Sequence, residues 1–220
     1  MSPVAYAAVS MRTSTSGHGE LRDAMSDDLI AFVDRSGFAP LLIPNRPAAA
    51  RELLAHADLI VLSGGGEPLS ASGTGGDRRA LTERLLLDHA LAHRLPVLGI
   101  CRGAQVINAR FGGVTCAIGS RSHAGTEHGV HLAPSRLEKL FGGVASLTVN
   151  SFHDHGLDRL GAGLVAVATA GDGQVEAIEH VEHPLVGVMW HPERTCTDPA
   201  FAEAHAGFLR RLVMAERGGS

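Results

Sequence analysis

Leu95-Pro96-Val97-Leu98-Gly99-Ile100-Cys101-Arg102-Gly103-Ala104-Gln105-Val106-Ile107-Asn108-Ala109-Arg110-Phe111 changes its period halfway along. Up to Ile100 it is a short apolar run behind a proline, the pattern of a buried parallel strand. Beyond the break, Ala104, Val106, Ile107, Ala109 and Phe111 return at helical spacing. The join, Gly99-x-Cys101-x-Gly103, has the form of a nucleophile elbow with a thiol in place of a hydroxyl. Glycine on either side removes side chains that would collide where strand and helix pass closely. At such a corner Cys101 faces the positive end of the following helix, which favours thiolate over thiol. A lone cysteine in an apolar strand equally suits plain packing. Packing alone, however, asks for no flanking glycines.

Upstream of the join, strand and helix patterns alternate. Strands are expected at Val4–Val9, Phe38–Ile43 and Asp58–Leu62. Helices are expected at Glu20–Ser36, Pro47–His56 and Asp77–His93, the last with Leu81, Leu85, Leu86, Ala90 and Leu91 turned inward. This alternation is that of a parallel sheet covered on both faces, whose sites lie at the carboxyl ends of its strands. Ser10–Arg12, the run Ser63-Gly64-Gly65-Gly66 and Cys101 all fall at that edge. The glycine run suits an anion-binding nest of bare N–H groups, or simply a flexible loop. A small polar loop, Ser70–Gly76, follows it.

Downstream of Phe111 the pattern turns to short strands at Val114–Ala117, Val144–Val149, Leu164–Ala168, Gln174–Glu179 and Leu185–Met189. A long polar loop is expected over Ile118–Pro134, and a last helix over Pro199–Met214.

The 220 residues, 45% hydrophobic, suffice for one well-buried domain spanning 1–220. A net charge of -4 without a basic stripe argues against nucleic acid or membrane as a partner. The start, Met1-Ser2-Pro3-Val4, lacks the features of a signal peptide, so the expected location is cytoplasmic. Cys101, Cys116 and Cys196 form no C-x-x-C pair and are expected to be reduced. Thirteen histidines raise the question of a metal, with His123, His128 and His131 in the polar loop. No H-E-x-x-H spacing occurs, and no metal site is expected.

A thiol nucleophile needs a base, and the base an orienting group. In Val186-Gly187-Val188-Met189-Trp190-His191-Pro192-Glu193 an apolar strand ends on His191. The proline stiffens the turn that brings Glu193 within range of the ring's second N–H. An ordinary strand-end histidine would look the same without the elbow.

Together, Gly99-x-Cys101-x-Gly103-x-Gln105, the Ser63–Gly66 run and Trp190-His191-Pro192-Glu193 resemble the class I glutamine amidotransferase superfamily. Asn150-Ser151-Phe152-His153-Asp154-His155-Gly156 and the Arg-Gly after the cysteine are similar to its γ-glutamyl-γ-aminobutyrate hydrolase, or peptidase C26-like, branch. Shorter identities, among them Arg22-Asp23 and Val149–His153, resemble γ-glutamyl-CDP-amidate hydrolases. The resemblance implies an α/β, flavodoxin-like doubly wound and mostly parallel sheet. It also implies a catalytic triad of Cys101, His191 and Glu193, with an oxyanion hole from the backbone N–H groups of Gly65 and Arg102. Gln105 and the backbone of Asn150, Ser151 and Phe152 would hold the glutamyl amino and carboxylate groups, and His153 would face the leaving group or cap a turn, though Gln105 also reads as a surface polar residue and Asn150–His153 as a turn closing a strand. The implied reaction is hydrolysis of a γ-glutamyl amide through a Cys101 thioester, with a small γ-glutamyl molecule as substrate and no cofactor. Alternatives are a glutaminase subunit feeding ammonia to a synthetase, and a non-catalytic module that binds γ-glutamyl compounds. A homodimer is a further option. Arg12, Arg22 and Arg121 are candidates for the mouth of the site.

Overall fold

The computed structural model describes residues 4–66, 77–119 and 121–217, apart from the side chains of residues 121 and 217. The expected loop Ser70–Gly76 lies outside the described residues.

The first half of the chain builds four of the five parallel-paired strands of a nine-stranded sheet. Its strands are β1 (Tyr6–Ser10), β4 (Ala39–Ile43), β5 (Leu59–Leu62) and β6 (Val97–Ile100), with a two-stranded hairpin of β2 (Arg12–Thr15) and β3 (Leu21–Ala24) inserted after β1. Helices α1 (Asp27–Arg35), α2 (Pro47–Leu54), α3 (Arg78–His93) and α4 (Arg102–Arg110) cross between strands or follow them. The second half contributes β7 (Val114–Ala117), β8 (Ala124–Leu132), α5 (Arg136–Leu140), β9 (Ser146–Phe152), β10 (His155–Arg159), β11 (Leu164–Ala170), β12 (Val175–His180), β13 (Leu185–Val188), α6 (Pro199–His205) and α7 (Phe208–Arg217). The sheet order is β4-β1-β5-β6-β13-β12-β11-β8-β9. The five strands from β4 to β13 pair in parallel, and the remainder pair antiparallel.

Alternation along the central strands fills both faces. In β1, Ala7 and Val9 join one apolar cluster with Val33, Trp190 and Phe208, while Ala8 joins another with Ile60, Leu86 and Ile107. A strand buried on both sides is an apolar run, and β5, Leu59-Ile60-Val61-Leu62, has no exposed residue.

Four expectations need correction. The helix predicted over Glu20–Ser36 begins only at Asp27, because Leu21–Ala24 pairs with Arg12–Thr15 across a Ser16–Gly19 turn. The hydroxyl of Ser16 accepts the N–H groups of His18 and Glu20 and stabilises that turn. The loop predicted over Ile118–Pro134 contains the nine-residue strand β8, paired with β9. Its polar residues occupy an alternating, half-exposed face, which hides the strand from a reading based on apolar runs. The last helix is two helices, separated by Gly207 at φ +66°. In α3, Leu81 is 54% exposed, and Arg79, Thr82 and Glu83 are buried instead.

Candidate active site

Strand order brings the separated motifs together. β6 lies between β5 and β13, with Leu62 opposite Gly99 and Val188 opposite Ile100. The glycine run, Cys101 and His191 therefore leave the carboxyl ends of three adjacent parallel strands. Cys101 occupies the corner at φ 50°, a backbone region costly for a side chain with a Cβ, and its N–H donates to Val188 O at 2.7 Å. A Cβ on Gly99 would lie 2.6 Å from the carbonyl carbon of Gly103, so the strand-to-helix crossing excludes any side chain there.

The thiol does not ionise as the helix terminus alone would suggest. Burial is the largest influence and pushes Cys101 up to about 11, opposed by backbone N–H bonds from Arg102 and Gly65 and reinforced by the negative charge of Glu193. The expectation that the corner favours thiolate is thereby corrected: desolvation outweighs the helix end. The N–H groups of Gly65 and Arg102 both point at the sulfur.

His191 sits beside the corner. A Cβ placed on Gly64 would come within 2.8 Å of His191 Cε1 and 3.5 Å of Cys101 Cβ, so ring and thiol flank the same glycine. The His191 Nδ1 to Glu193 Oε1 separation is 2.7 Å, with both residues buried. Nδ1–H donation to the carboxylate leaves Nε2 for the cavity side. The backbone around the ring is held by Asn150, whose Oδ1 accepts the His191 N–H at 2.9 Å while its Nδ2 donates to the carbonyls of His191 and Thr195. Behind it, Trp190 Nε1 donates to His205 Nε2 at 3.0 Å, and His205 Nδ1 faces Phe201 O at 2.6 Å. Both contacts suit a neutral imidazole, and burial pushes His205 down to about 4.

The glycine loop is held by residues whose sequence pattern suits the outside of a helix. Arg79 donates to Ser63 O at 2.7 Å, to Gly65 O at 2.5 Å and to Glu83 Oε1 at 2.7 Å. Arg102 pairs with the other oxygen of Glu83, so one fully buried carboxylate joins two guanidinium groups. With its carbonyl tied back to Arg79, Gly65 at φ +70° turns its N–H toward Cys101. The i, i+4 spacing of Arg79 and Glu83 was the available signal, but it marks exposed helix faces just as often.

The cavity is lined by Gly65, Gly66, Cys101, Arg102, Gln105, Phe152, His153, Asp154, His155, His191 and Arg194. Gln105 is buried and donates to His155 O at 3.3 Å. Phe152, 46% exposed, stands edge-on to the His191 ring and carries the Arg194 guanidinium over its face. Asn150 and Ser151, expected to meet the substrate through their backbone, use their side chains within the fold: Asn150 in the His191 turn, and Ser151 Oγ donating to His123 O at 2.7 Å. Arg12 reaches Gly65, where a Cβ would meet its Nη1 at 3.0 Å, so it stands at the rim. Arg22 is exposed and paired with Glu20. The side chain at 121 lies outside the described set.

Comparison with known proteins agrees with this architecture. The family model described as Peptidase C26 matches residues 5–193. A Schizosaccharomyces pombe protein provisionally named a glutamine amidotransferase is 37% identical over 126 residues, covering 52% of this chain. The γ-glutamyl-CDP-amidate hydrolase of Campylobacter jejuni is 29% identical over 140 residues, covering 61% of this chain. The matches span about half the length of the yeast relative, 49%, and 62% of the Campylobacter one. Among solved structures, a Thermoplasma acidophilum protein provisionally described as one subunit of a GMP synthase shares the fold with a TM-score of 0.73 at 20% identity, over 100% of this chain and 99% of its own. With an ordered match from Ala5 to Glu193, carrying both the elbow and the Trp190–Glu193 ending, the chain belongs to the Peptidase C26 family.

Proposed function

We propose that this amide hydrolase cleaves a γ-glutamyl amide to glutamate and a free amine or phosphoramidate, with Cys101 as nucleophile. The observation that carries the reading is the meeting, in one cavity, of a thiol on a strained corner, two N–H groups aimed at its sulfur, and a buried imidazole–carboxylate pair.

The chemistry follows from protonation states. Since burial keeps Cys101 a thiol, its proton passes to His191 Nε2 as the sulfur attacks the γ-carbonyl carbon. Glu193 holds the ring through Nδ1 and stabilises the imidazolium formed. As the carbonyl oxygen becomes an oxyanion, the N–H groups of Gly65 and Arg102 transfer their bonds from sulfur to oxygen. Loss of one such donor costs roughly 3 kcal/mol of transition-state stabilisation. His191 then protonates the leaving nitrogen, the C–N bond breaks and a thioester remains. Water, deprotonated by His191, attacks the thioester carbon, and glutamate leaves as the sulfur recovers its proton.

Substrate selection falls to the other wall and the rim. Gln105, Phe152 and His153 line the cavity, and Arg194 on its wall and Arg12 beside Gly65 offer positive charge to a carboxylate or phosphate of the substrate.

The test is a panel of γ-glutamyl amides, including glutamine, γ-glutamyl-aminobutyrate and a γ-glutamyl phosphoramidate, scored for glutamate release by wild type and Cys101→Ala. Release from substituted amides that requires Cys101 supports a self-sufficient hydrolase. Turnover of glutamine alone, rising with an added synthetase, assigns an ammonia-donating subunit instead. Binding without release assigns a non-catalytic module.

A further inference from the structure

The histidines that show no metal motif along the chain converge in space. His123, just before β8, and His128, within it, face Glu176 on β12, and His153 approaches from just beyond β9. His123 Nδ1, His128 Nε2 and His153 Nε2 lie 3.0, 3.5 and 3.5 Å from the same oxygen, Glu176 Oε1. The ligand atoms of His123, His128 and Glu176 are all within 4.8 Å of one another. His123 packs its ring against those of both other histidines, with centroids 4.5 and 5.0 Å apart.

Well-formed hydrogen bonds do not account for this cluster. Glu176 is fully buried, and neither of its oxygens meets hydrogen-bond geometry; nor do His123 Nδ1, His128 Nε2 and His153 Nε2, whose contacts with it are those of close ion pairs. A buried carboxylate whose contacts fall short of good hydrogen-bond geometry is costly unless a positive charge sits beside it. The tautomer of His123 sharpens the point. Its Nε2 lies 2.9 Å from Asp172 Oδ2, a carboxylate that can only accept, so Nε2 carries the proton. Its Nδ1 then faces Glu176 Oε1 at 3.0 Å, a contact that either a proton on Nδ1 or a metal ion shared by the two groups completes.

We infer that His123, His128 and Glu176, completed by His153, form a site for a divalent transition metal of the zinc class. Nitrogen and oxygen ligands about 2.0–2.1 Å from a tetrahedral Zn²⁺ stand roughly 3.3 Å apart, close to the spacings seen around Glu176 Oε1. The Asp172–His123 contact is the outer carboxylate that zinc-bound histidines commonly have, fixing tautomer and orientation. A second cavity, lined by Ser122, His123, His128 and Asp172 among others, gives the ion a route in. The mixed imidazole and carboxylate set excludes a calcium-type site, which would be all oxygen.

The role is structural. The cluster sits behind the cavity wall, with His153 belonging to both, and the His153 N–H and Ser151 Oγ both bond to His123 O, at 2.9 and 2.7 Å. A bound ion would tie β8, β9 and β12 together directly behind Phe152 and His153.

The experiment uses the full chain stripped with a chelator and then titrated with Zn²⁺ by calorimetry and with Co²⁺ by visible absorption. One equivalent of each is expected, with the d–d bands of tetrahedral Co²⁺ and no thiolate charge-transfer band, since no cysteine is a ligand. Cys101→Ala should bind as wild type does, which separates this site from the catalytic reading. Glu176→Gln should abolish the Co²⁺ spectrum. His128→Gln, at the 18%-exposed edge of the cluster, should weaken Zn²⁺ binding at least tenfold. Asp172→Asn, whose side chain is 45% exposed and so safe for folding, should weaken it roughly 10- to 100-fold. If Glu176→Gln does not fold, the latter two variants decide. Absence of stoichiometric binding to wild type would mean that protons alone fill the cluster and would overturn the assignment, as would a Co²⁺ spectrum unchanged in both His128→Gln and Asp172→Asn.

Discussion

The two walls of the cavity solve the problem of buried charge in opposite ways. On the parallel side, Glu83 is shared by Arg79 and Arg102, and Arg79 spends its remaining donors on the carbonyls of the glycine loop. Both guanidinium groups there meet the same carboxylate within the chain. On the antiparallel side, Glu176 faces three imidazoles at ion-pair distance without well-formed hydrogen-bond geometry to any of them. The first wall is complete as folded, whereas the second leaves a place for a cation. A buried polar cluster thus becomes informative when its own members cannot satisfy it.

The largest effect that separates the walls is chemical. Cys101→Ala should reduce glutamate release on the order of 10⁵- to 10⁶-fold, measured as initial rate on the best amide of the panel. No single substitution among the histidines behind the other wall should approach that, and one that did would erase the division between a reacting wall and a supporting one.

Next comes the charge network. Glu83→Ala leaves two buried guanidinium groups facing each other, and urea unfolding should show a loss of about 3–5 kcal/mol. A cost below about 1 kcal/mol, the range of an exposed pair, would mean that water reaches the network and that the first wall is not self-sufficient.

A comparable effect is expected in acid. His205, held neutral behind Trp190, has its pKa pushed down to about 4, so between roughly pH 6.5 and 4 the unfolded chain takes up a proton that the folded chain refuses. Stability therefore falls as pH drops through that window, by about 3 kcal/mol for this residue, and is independent of it above. His205→Gln should flatten the slope of unfolding free energy against pH. An unchanged slope would place the acid sensitivity in a group other than His205.

The smallest effect tests the glycine loop. Gly65→Ala puts a Cβ at φ +70° and 3.0 Å from Arg12 Nη1, and should cost about 1–2 kcal/mol in the same unfolding assay. Its kcat should fall more than its KM rises, because the N–H it displaces serves the transition state. A pure KM effect would move Gly65 from the oxyanion to the substrate.

The same contrast explains what could be read from the chain beforehand. The first wall is nearly contiguous: Leu62–Gly66 and Gly99–Gly103 are each one turn, and glycines mark turns whatever lies around them. His191 and Glu193 were visible as a strand end followed by a proline turn. Their resemblance to a family ordered them with Cys101, and the β5-β6-β13 order put them at one edge. Arg79 and Glu83 were not legible, since a charged i, i+4 pair reads as a solvated helix face until the sheet beneath it is known. The second wall was hidden for another reason. Its members come from residues 123, 128, 153 and 176, joined only by antiparallel pairing whose strand, β8, carries too few apolar residues to announce itself. The hairpin of β2 and β3 was missed likewise, because Leu21 and Met25 fall at helical spacing although only the residues from Asp27 onward are helical.

The positive φ of Cys101 has an evolutionary consequence. Such a conformation typically costs on the order of 1–3 kcal/mol, and glycine would escape most of it. A descendant relieved of its chemical duty would thus gain robustness by discarding its sulfur, and drift at position 101 should run toward glycine. Persistence of cysteine at this bend is therefore a sign of continued selection for reactivity.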